Sequence, residues 1–220
     1  MCGRFSLTSA IDRLLPRLRG ELPAGLRSHY APRGEIRPGE PLLIQRQQQD
    51  RLEVAFALWG LLPAWVKDPQ GAHRPIHARS ETVAEKASFR GPWRHHRCLI
   101  PADAFLEKGQ RIARWDGAPF WLGGLWERWL GADGSQLDSC CILTTRPNAL
   151  LAPVHDRMPV LIPDGLEEAW LGPVHGAELR ALEPLLQPWD PAGWCVEPLA
   201  RGRPPAAVAD RRQQLSLDLR

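Results

Sequence analysis

The sequence lacks the segments that would place it in or across a membrane. Its 220 residues contain no apolar run close to the roughly 18 residues of a spanning helix. No basic-then-apolar leader precedes the first polar segment, so secretion is not expected either. We therefore expect a cytoplasmic protein with no membrane partner.

Cysteine is present, but not in a pattern that builds a disulfide framework or a zinc site. The five cysteines are odd in number and include no Cys-x-x-Cys pair. The seven histidines do not complete a ligand cluster of recognisable spacing. The sequence therefore predicts no metal and no cofactor.

Lysine and tyrosine are scarce, whereas arginine and tryptophan are abundant. Only three of the 28 basic residues are lysines, and ten tryptophans accompany one tyrosine, at a net charge of only +3. Arginine offers a planar fork that suits phosphate, and tryptophan rings can stack on bases. A GC-rich genome and a tryptophan-filled core explain the same bias, so both interpretations stay open.

The apolar patterning predicts one α+β domain with a mixed, largely antiparallel β core and a few peripheral helices. Alternating segments such as "RLEVAFALWGL" predict strands, and "RGEIRPGEP" predicts a loop. Thr8 or Ser9 is expected to cap a first short helix and Asp164 a later one, with a further helix ending near Pro184. Asp116–Gly117 predicts a hairpin turn between two aromatic strands. We expect the domain to span residues 1–200.

The first five residues, "MCGRF", place a cysteine directly after the initiator methionine. If Met1 is removed, Cys2 carries a free amine and a thiol on adjacent carbons. Such an aminothiol can condense with an aldehyde and close to a five-membered thiazolidine. A small second residue is also common in proteins without any such role.

Two other stretches carry groups that could assist this chemistry. Glu107 lies in "FLEK", and His155 lies in "PVHDRMP", just before a buried strand. A carboxyl and an imidazole can transfer the protons that imine formation requires. The alternatives are a surface carboxylate and a capping or core histidine. In "HARSET", Arg79 and Glu81 would share one side of an extended chain, either at a site or in an ion-pair network.

The stretch "EKASFRGPWRHHRC" interleaves basic and aromatic residues. Charge for a phosphate backbone and rings for bases are what a groove for single-stranded nucleic acid requires. Lys86, Arg90, Arg94 and Arg97 supply the charge. A solvated basic face is the alternative.

Taken in order, these motifs resemble the SRAP family, the SOS-response-associated peptidase-like proteins. The resemblance runs from Met1 to about Leu199 and rests on "MCGRF", "WGLLPAW", "HARSETV", "FLEK", "GLWE", "LTT" and "HDRMPV". The family shields abasic sites in single-stranded DNA. The resemblance implies a nucleoid-associated, monomeric enzyme that forms a crosslink with abasic DNA, has lyase-type activity and removes its own Met1.

By the same resemblance, the Cys2 amine attacks the ring-opened aldehyde of the abasic sugar and the Cys2 thiol captures the imine. Glu107 is then the acid/base at the sugar, and His155 assists imine chemistry and reversal. The implied phosphate contacts are Arg4, Arg79 and Arg157. The implied apolar wedge beside the lesion, which stacks in place of the lost base, consists of Trp59, Pro63 and Trp65. To these we add Arg90 from the basic and aromatic stretch.

Two positions depart from the family pattern. His77 stands where the family has an asparagine that orients the cysteine and the sugar. Glu35 stands at an asparagine position in the early loop, where it is expected to repel phosphate. A non-covalent single-stranded DNA-binding module with degraded catalysis is therefore an alternative function.

The end of the chain, residues 201–220, is expected to be a mobile Arg- and Pro-rich tail. Its "QQLSLDL" resembles the peptide that binds the bacterial sliding clamp. The implied anchors are Gln214, Leu215, Leu217 and Leu219. A plain tail is the alternative to this interpretation, and a protein that acts mainly through the clamp is a third hypothesis for function.

Overall fold

The computed structural model describes residues 3–174 and 176–199. The strands are β1 Arg4–Leu7, β2 Arg33–Ile36, β3 Pro41–Gln48, β4 Arg51–Trp59, β5 His77–Arg79, β6 Arg97–Ala102, β7 Ala104–Glu107, β8 Gln110–Arg114, β9 Phe120–Leu130, β10 Gln136–Thr145, β11 Met158–Pro159, β12 Leu161–Ile162 and β13 Trp194–Pro198. The helices are α1 Ile11–Leu14, α2 Leu26–His29, α3 Ala87–His95 and α4 Glu167–Leu171, with 3-10 segments at Leu15–Arg17, Ser80–Thr82 and Gly176–Leu186.

The strands form two sheets, and one of them closes on itself. The five-stranded sheet has the order β13-β8-β7-β1-β2. The eight-stranded sheet has the order β11-β10-β4-β3-β6-β9-β12, and its eighth strand, β5, pairs with β10. Because β10 pairs with both β4 and β9, the strands β10, β4, β3, β6 and β9 form a closed barrel without free edges. Among the strands of the described residues, the pairings of β10 with β4 and β5 are parallel and the others are antiparallel. The prediction of a mixed, largely antiparallel α+β fold is confirmed.

Close backbone approach shapes this barrel at Gly124 on β9. A Cβ atom there would lie 2.9 Å from the Cys98 sulfur and 3.0 Å from the Cys141 carbonyl oxygen, on the two neighbouring strands. Glycine is therefore required where β6, β9 and β10 meet.

One cation is buried against the barrel. The side chain of Arg46 is 2% exposed and pairs with Glu53 at 2.6 Å and Asp138 at 2.7 Å. Its guanidinium carbon lies 3.9 Å from the centroid of the Trp126 ring. A buried charge is tolerated only when it is paired in this way.

Four local predictions were wrong in their details. Residues of the predicted loop "RGEIRPGEP" form β2. Asp116–Gly117 does not join a hairpin, because β8 and β9 lie in different sheets. The first helix begins after Ala10 without a side-chain cap, while the Ser9 hydroxyl instead donates to Asp103 at 2.7 Å. Leu166, not Asp164, precedes α4.

The late helical segment also differs from its prediction. It is a 3-10 helix and continues beyond Pro184 to Leu186. Within the described residues, no helix is long and apolar enough to cross a membrane.

Candidate nucleic-acid interface

The pairing of β1 with β7 brings Arg4 to the neighbourhood of Glu107. Arg4 lies opposite Leu106 in the antiparallel register, and Glu107 is the next residue, at the end of the ladder from which the chain enters β1. Cys2 lies outside the described residues, so its role stays a prediction.

A row of three aromatic rings connects β1, β4 and β5. The ring centroids of Phe5 and Trp59 are 5.4 Å apart, and those of Trp59 and His77 are 6.2 Å apart in an edge-on arrangement. The Trp59 indole N–H donates to the Ile76 carbonyl oxygen at 3.0 Å. Trp59 therefore holds the segment that carries His77 close to β1.

Trp59 cannot also act as a stacking surface for DNA. It is only 1% exposed, and its rings are occupied by the contacts with Phe5 and His77. The prediction that Trp59 belongs to an exposed apolar wedge was wrong, because a family motif does not say which face of a strand a side chain occupies.

The end of β10 gathers the second group of predicted residues. Arg79 on β5 lies opposite Thr144, and Met158 on β11 lies opposite Thr145. Arg157, which directly precedes β11, donates from Nη2 to the Thr144 carbonyl oxygen at 2.6 Å. Arg79 and Arg157 therefore flank the same strand end, as a shared phosphate site requires.

Arg157 is held by a carboxylate within the protein. Its Nη1 and Nη2 donate to the two Glu81 carboxylate oxygens at 2.6 and 2.8 Å, and its side chain is 13% exposed. Hydrogen bonding from Arg157 lowers the pKa of Glu81. The ion-pair interpretation of "HARSET" is therefore correct for Glu81, which lies in a 3-10 turn rather than in a strand.

His155 has two competing partners at one ring nitrogen. Its Nδ1 accepts a hydrogen bond from the Arg157 backbone N–H at 3.0 Å and lies 2.6 Å from the Asp156 carboxylate. The fixed backbone donor favours a lone pair on Nδ1, which leaves the proton of the neutral ring on Nε2. The Asp156 carboxylate can accept a hydrogen bond only if Nδ1 carries a hydrogen, so the two contacts correspond to different positions of the ring hydrogen.

Glu35 is paired rather than isolated. It accepts from Arg37 at 2.6 Å and lies 3.5 Å from Arg4. Desolvation by burial acts to raise the pKa of Glu35, but the hydrogen bond from Arg37 and the charge of Arg4 outweigh it and hold the pKa below its usual value. The expectation that Glu35 simply repels phosphate needs correction, because two arginines balance its charge.

Trp65 is the exposed ring of the predicted wedge. It is 67% exposed and lies between two grooves of about 710 and 450 Å³. Pro63 lines both grooves although it is largely buried, and Arg90, exposed on α3, lines the smaller one. A stacking ring and a cation therefore face the same groove.

The basic and aromatic stretch divides between core and surface. Arg97 is buried and donates to the carbonyl oxygens of Trp93 at 2.8 Å and Gly172 at 2.6 Å. Burial lowers the pKa of Arg97 to about 10. Its prediction as part of a nucleic-acid groove was wrong. Arg90 and Arg94, four residues apart on α3, remain exposed.

Most of the described sulfur atoms are inaccessible to a substrate. Cys98, Cys140 and Cys141 are completely buried, and burial raises the pKa of each thiol. Within residues 3–174 and 176–199, no group of three His, Cys, Asp or Glu side chains is arranged to hold a metal ion.

Sequence reasoning missed the carboxylate partner of Arg157 and the Arg37 partner of Glu35. The only signal for the first was the "HARSET" charge pattern, and nothing in the sequence joins residues that lie 76 positions apart. The predicted clamp-binding residues Gln214, Leu215, Leu217 and Leu219 lie outside the described residues.

Comparisons with known proteins agree on one family. The model of the family described as SOS response associated peptidase (SRAP) matches residues 1–200. Abasic site processing protein YoqW of Bacillus subtilis is 37% identical over 201 residues, which cover 86% of this chain and 88% of the relative. Abasic site processing protein YedK of Escherichia coli is 26% identical over 185 residues, covering 78% of this chain and 79% of the relative.

Solved structures have the same fold. A Bacteroides thetaiotaomicron protein aligns with a TM-score of 0.77 and 27% identity, covering 89% of this chain and 90% of that one. A Bordetella bronchiseptica protein aligns with a TM-score of 0.75 and 25% identity, covering 90% of this chain and 100% of that one.

Proposed function

The chain belongs to the SOS response associated peptidase (SRAP) family, and from this premise we propose that it processes abasic sites in single-stranded DNA by bonding to them through Cys2. The names of its relatives support abasic sites as the target. The finer steps, which are the covalent bond, the lyase-type reaction and the removal of Met1, are our proposal.

The reaction begins when hydrolysis of the Met1–Cys2 peptide bond frees the Cys2 amine. The amine adds to the aldehyde carbon of the ring-opened abasic sugar, and loss of one water molecule gives an imine. The Cys2 sulfur then adds to the imine carbon while its proton moves to the nitrogen. The product is a thiazolidine that joins the protein to the DNA.

Two side chains serve these proton transfers, and a third orients the reacting groups. Glu107 acts as acid and base at the sugar, and His155, whose Nδ1 contacts the Arg157 backbone N–H and the Asp156 carboxylate, assists imine formation and reversal. His77 takes the position of the family's asparagine and orients the cysteine and the sugar, with its ring held by Trp59.

The course of β1 is the observation that carries this proposal. Arg4 pairs with Leu106, and Glu107 is the next residue of β7, so the chain enters β1 at the end of the ladder where β7 ends at Glu107. Elimination supports Cys2 further, because three of the four described thiols are fully buried. The fourth, Cys195, has a raised pKa, with burial as the largest cause.

The DNA contacts complete the proposal. Arg4, Arg79 and Arg157 hold phosphates next to the lesion. Trp65 stacks in place of the lost base and Arg90 holds the strand along its groove, since base–aromatic stacking contributes about 1–3 kcal/mol per base.

The test is incubation of the purified protein with an abasic single-stranded oligonucleotide, followed by denaturing electrophoresis and mass spectrometry of the intact protein. The expected result is a denaturation-resistant adduct that is absent from Cys2→Ala and present in Cys195→Ala. Retained Met1, or an adduct that survives Cys2→Ala, would contradict the mechanism. DNA binding by the unmodified protein without any adduct would identify it as a non-covalent binding module.

The side chains can be tested by their rates. Glu107→Gln is expected to slow adduct formation, since general acid–base groups typically contribute about 10²–10⁴-fold. His155→Ala is expected to change imine formation or reversal, measured by quenching with borohydride. Unchanged rates in both variants would remove these residues from the site. His77→Asn tests whether the histidine fulfils the asparagine's orienting role.

For residues 201–220 we propose a separate tethering role through the sliding clamp. Gln214, Leu215, Leu217 and Leu219 would bind it as an extended peptide, and the tether would raise the local concentration of the protein at replication sites. Deletion of residues 213–220 should abolish capture by the clamp and leave adduct formation unchanged. Persistent capture would refute the motif.

A further inference from the structure

A groove of about 660 Å³ begins beside the proposed site and has no role in it. Its rim carries Arg94 from the last turn of α3, Arg146 just after β10, and Arg180 in the 3-10 helix Gly176–Leu186. Apolar side chains that include Val83 and Leu186 contribute to its wall. We refer to it as the basic groove.

One end of the basic groove meets the proposed phosphate site. Ser80, which directly follows Arg79, lines it, and so does Thr145, which directly follows the carbonyl group that binds Arg157. The basic groove therefore begins at residues that directly follow Arg79 and Thr144, next to the place where Arg157 is bound.

The charge of the basic groove suits a polyanion. Arg94, Arg146 and Arg180 are exposed, and none forms an ion pair within the part of the chain that the structure describes. Within the described part of the chain, the Arg146 guanidinium donates one long hydrogen bond, of 3.4 Å, to the Gln187 side chain.

Two carboxylates also line the groove, but only one of them has an unbalanced negative charge that would repel an anion. Glu81 is neutralised by its two hydrogen bonds from Arg157, so Glu183 is the remaining acidic side chain. Three arginines therefore face one unbalanced carboxylate, and the net charge of the lining is positive.

We propose that the basic groove carries the DNA single strand away from the abasic site, with Arg94, Arg146 and Arg180 on its backbone phosphates. This inference rests on the proposed function and extends its DNA contacts. The three cations come from three different elements that line the groove, so each can contact a different phosphate of one backbone. Such contacts read no base, so the added affinity is independent of sequence.

The experiment measures equilibrium binding of undamaged single strands of increasing length by fluorescence anisotropy at several salt concentrations. Parent affinity should rise with length. Arg146→Ala/Arg180→Ala should lose roughly tenfold in affinity for the longest strand, and its salt slope should fall by about 1.4, because each phosphate contact on a single strand contributes about 0.7.

Matched variants separate this role from a general loss of charge or fold. Arg51→Ala, which removes an exposed arginine outside the groove, should leave the length dependence intact. Glu183→Gln should tighten binding, an effect that a purely structural role would not produce. If the alanine pair fails to fold, Arg146→Gln/Arg180→Gln serves in its place.

The outcomes distinguish the two proposals. An unchanged salt slope and length dependence in the double variant would show that the basic groove does not bind the single strand, and would leave the proposed function intact. Groove-dependent binding by a parent protein that forms no adduct would instead overturn the covalent mechanism alone. A parent that does not bind single strands at all would overturn both.

Discussion

Two arginines of the proposed phosphate site, Arg4 and Arg157, are each paired with a carboxylate, but in contrasting surroundings. Arg4 is 42% exposed and lies 3.5 Å from Glu35, which also pairs with Arg37. Arg157 is 13% exposed, makes two short bonds to Glu81 and a third to the Thr144 carbonyl group. The first pair can exchange its carboxylate for a phosphate, whereas the second fixes the guanidinium in one orientation.

The difference indicates two distinct uses of a carboxylate beside an arginine of the proposed phosphate site. Exposed pairs contribute little to stability, typically below about 1 kcal/mol, and compete with an incoming anion. A largely buried arginine that loses its partner is left with an unbalanced charge, which is costly. We therefore expect Glu35 to modulate binding and Glu81 to maintain structure.

The largest expected effect would come from removing Glu81. Glu81→Ala should lower the free energy of unfolding by roughly 1.5–3 kcal/mol, the range for hydrogen bonds to charged groups, whereas Glu35→Ala should lower it by less than about 0.5 kcal/mol. Urea denaturation measures both, with Glu85→Ala as an exposed neighbouring control. Equal losses at Glu81 and Glu35 would remove the contrast.

A smaller effect should be visible in the pH dependence of stability. The folded-state pKa of Glu81 is lowered below its unfolded value of about 4.3. Its stabilising contribution is therefore complete above that value and is lost as the pH falls through the folded pKa. Glu81→Gln should flatten the fall of stability on acidification below about pH 4.5.

Glu35, whose pKa is also lowered, provides the internal comparison for this measurement. Because its arginine partners, Arg4 and Arg37, are more exposed than Arg157, Glu35→Gln should change the acid limb less than Glu81→Gln does. A larger change from Glu35→Gln would mean that exposure does not determine the strength of these pairs.

The smallest expected effect concerns DNA affinity. Glu35→Gln removes a charge that competes for Arg4, so single-strand binding should tighten about two- to threefold at low salt and converge with the parent at high salt. Anisotropy titrations at two salt concentrations measure this. Weaker binding after the substitution would show that Glu35 positions Arg4 rather than competing for it.

Sequence patterns predicted the strands better than their partners. Alternation identified β4, but it gave no sign that the Asp116–Gly117 turn passes from one sheet to the other. The stretch that forms β2 was predicted to be a loop because it contains Pro and Gly. It is a strand because it pairs with β1, which its composition does not show.

The candidate site followed the same rule. Family motifs selected Arg4, Glu107 and Arg157, yet did not show that Trp59 is buried or that Glu81 binds Arg157. Burial and ion pairing depend on contacts between distant segments, and a single sequence does not show which distant segments are in contact. Residue types therefore indicate which chemical groups a site contains, whereas the positions and partners of those groups depend on the folded structure.

The central position of β10 determines when the site comes into existence. This strand pairs with β4, β5, β9 and β11, so the segments that carry His77, Arg79 and Arg157 gain their places only after most of the chain has been synthesised. Parallel pairing over such sequence separations forms slowly. The side chains of the candidate site are therefore brought together only late in folding, when β5 and β11 have both joined β10.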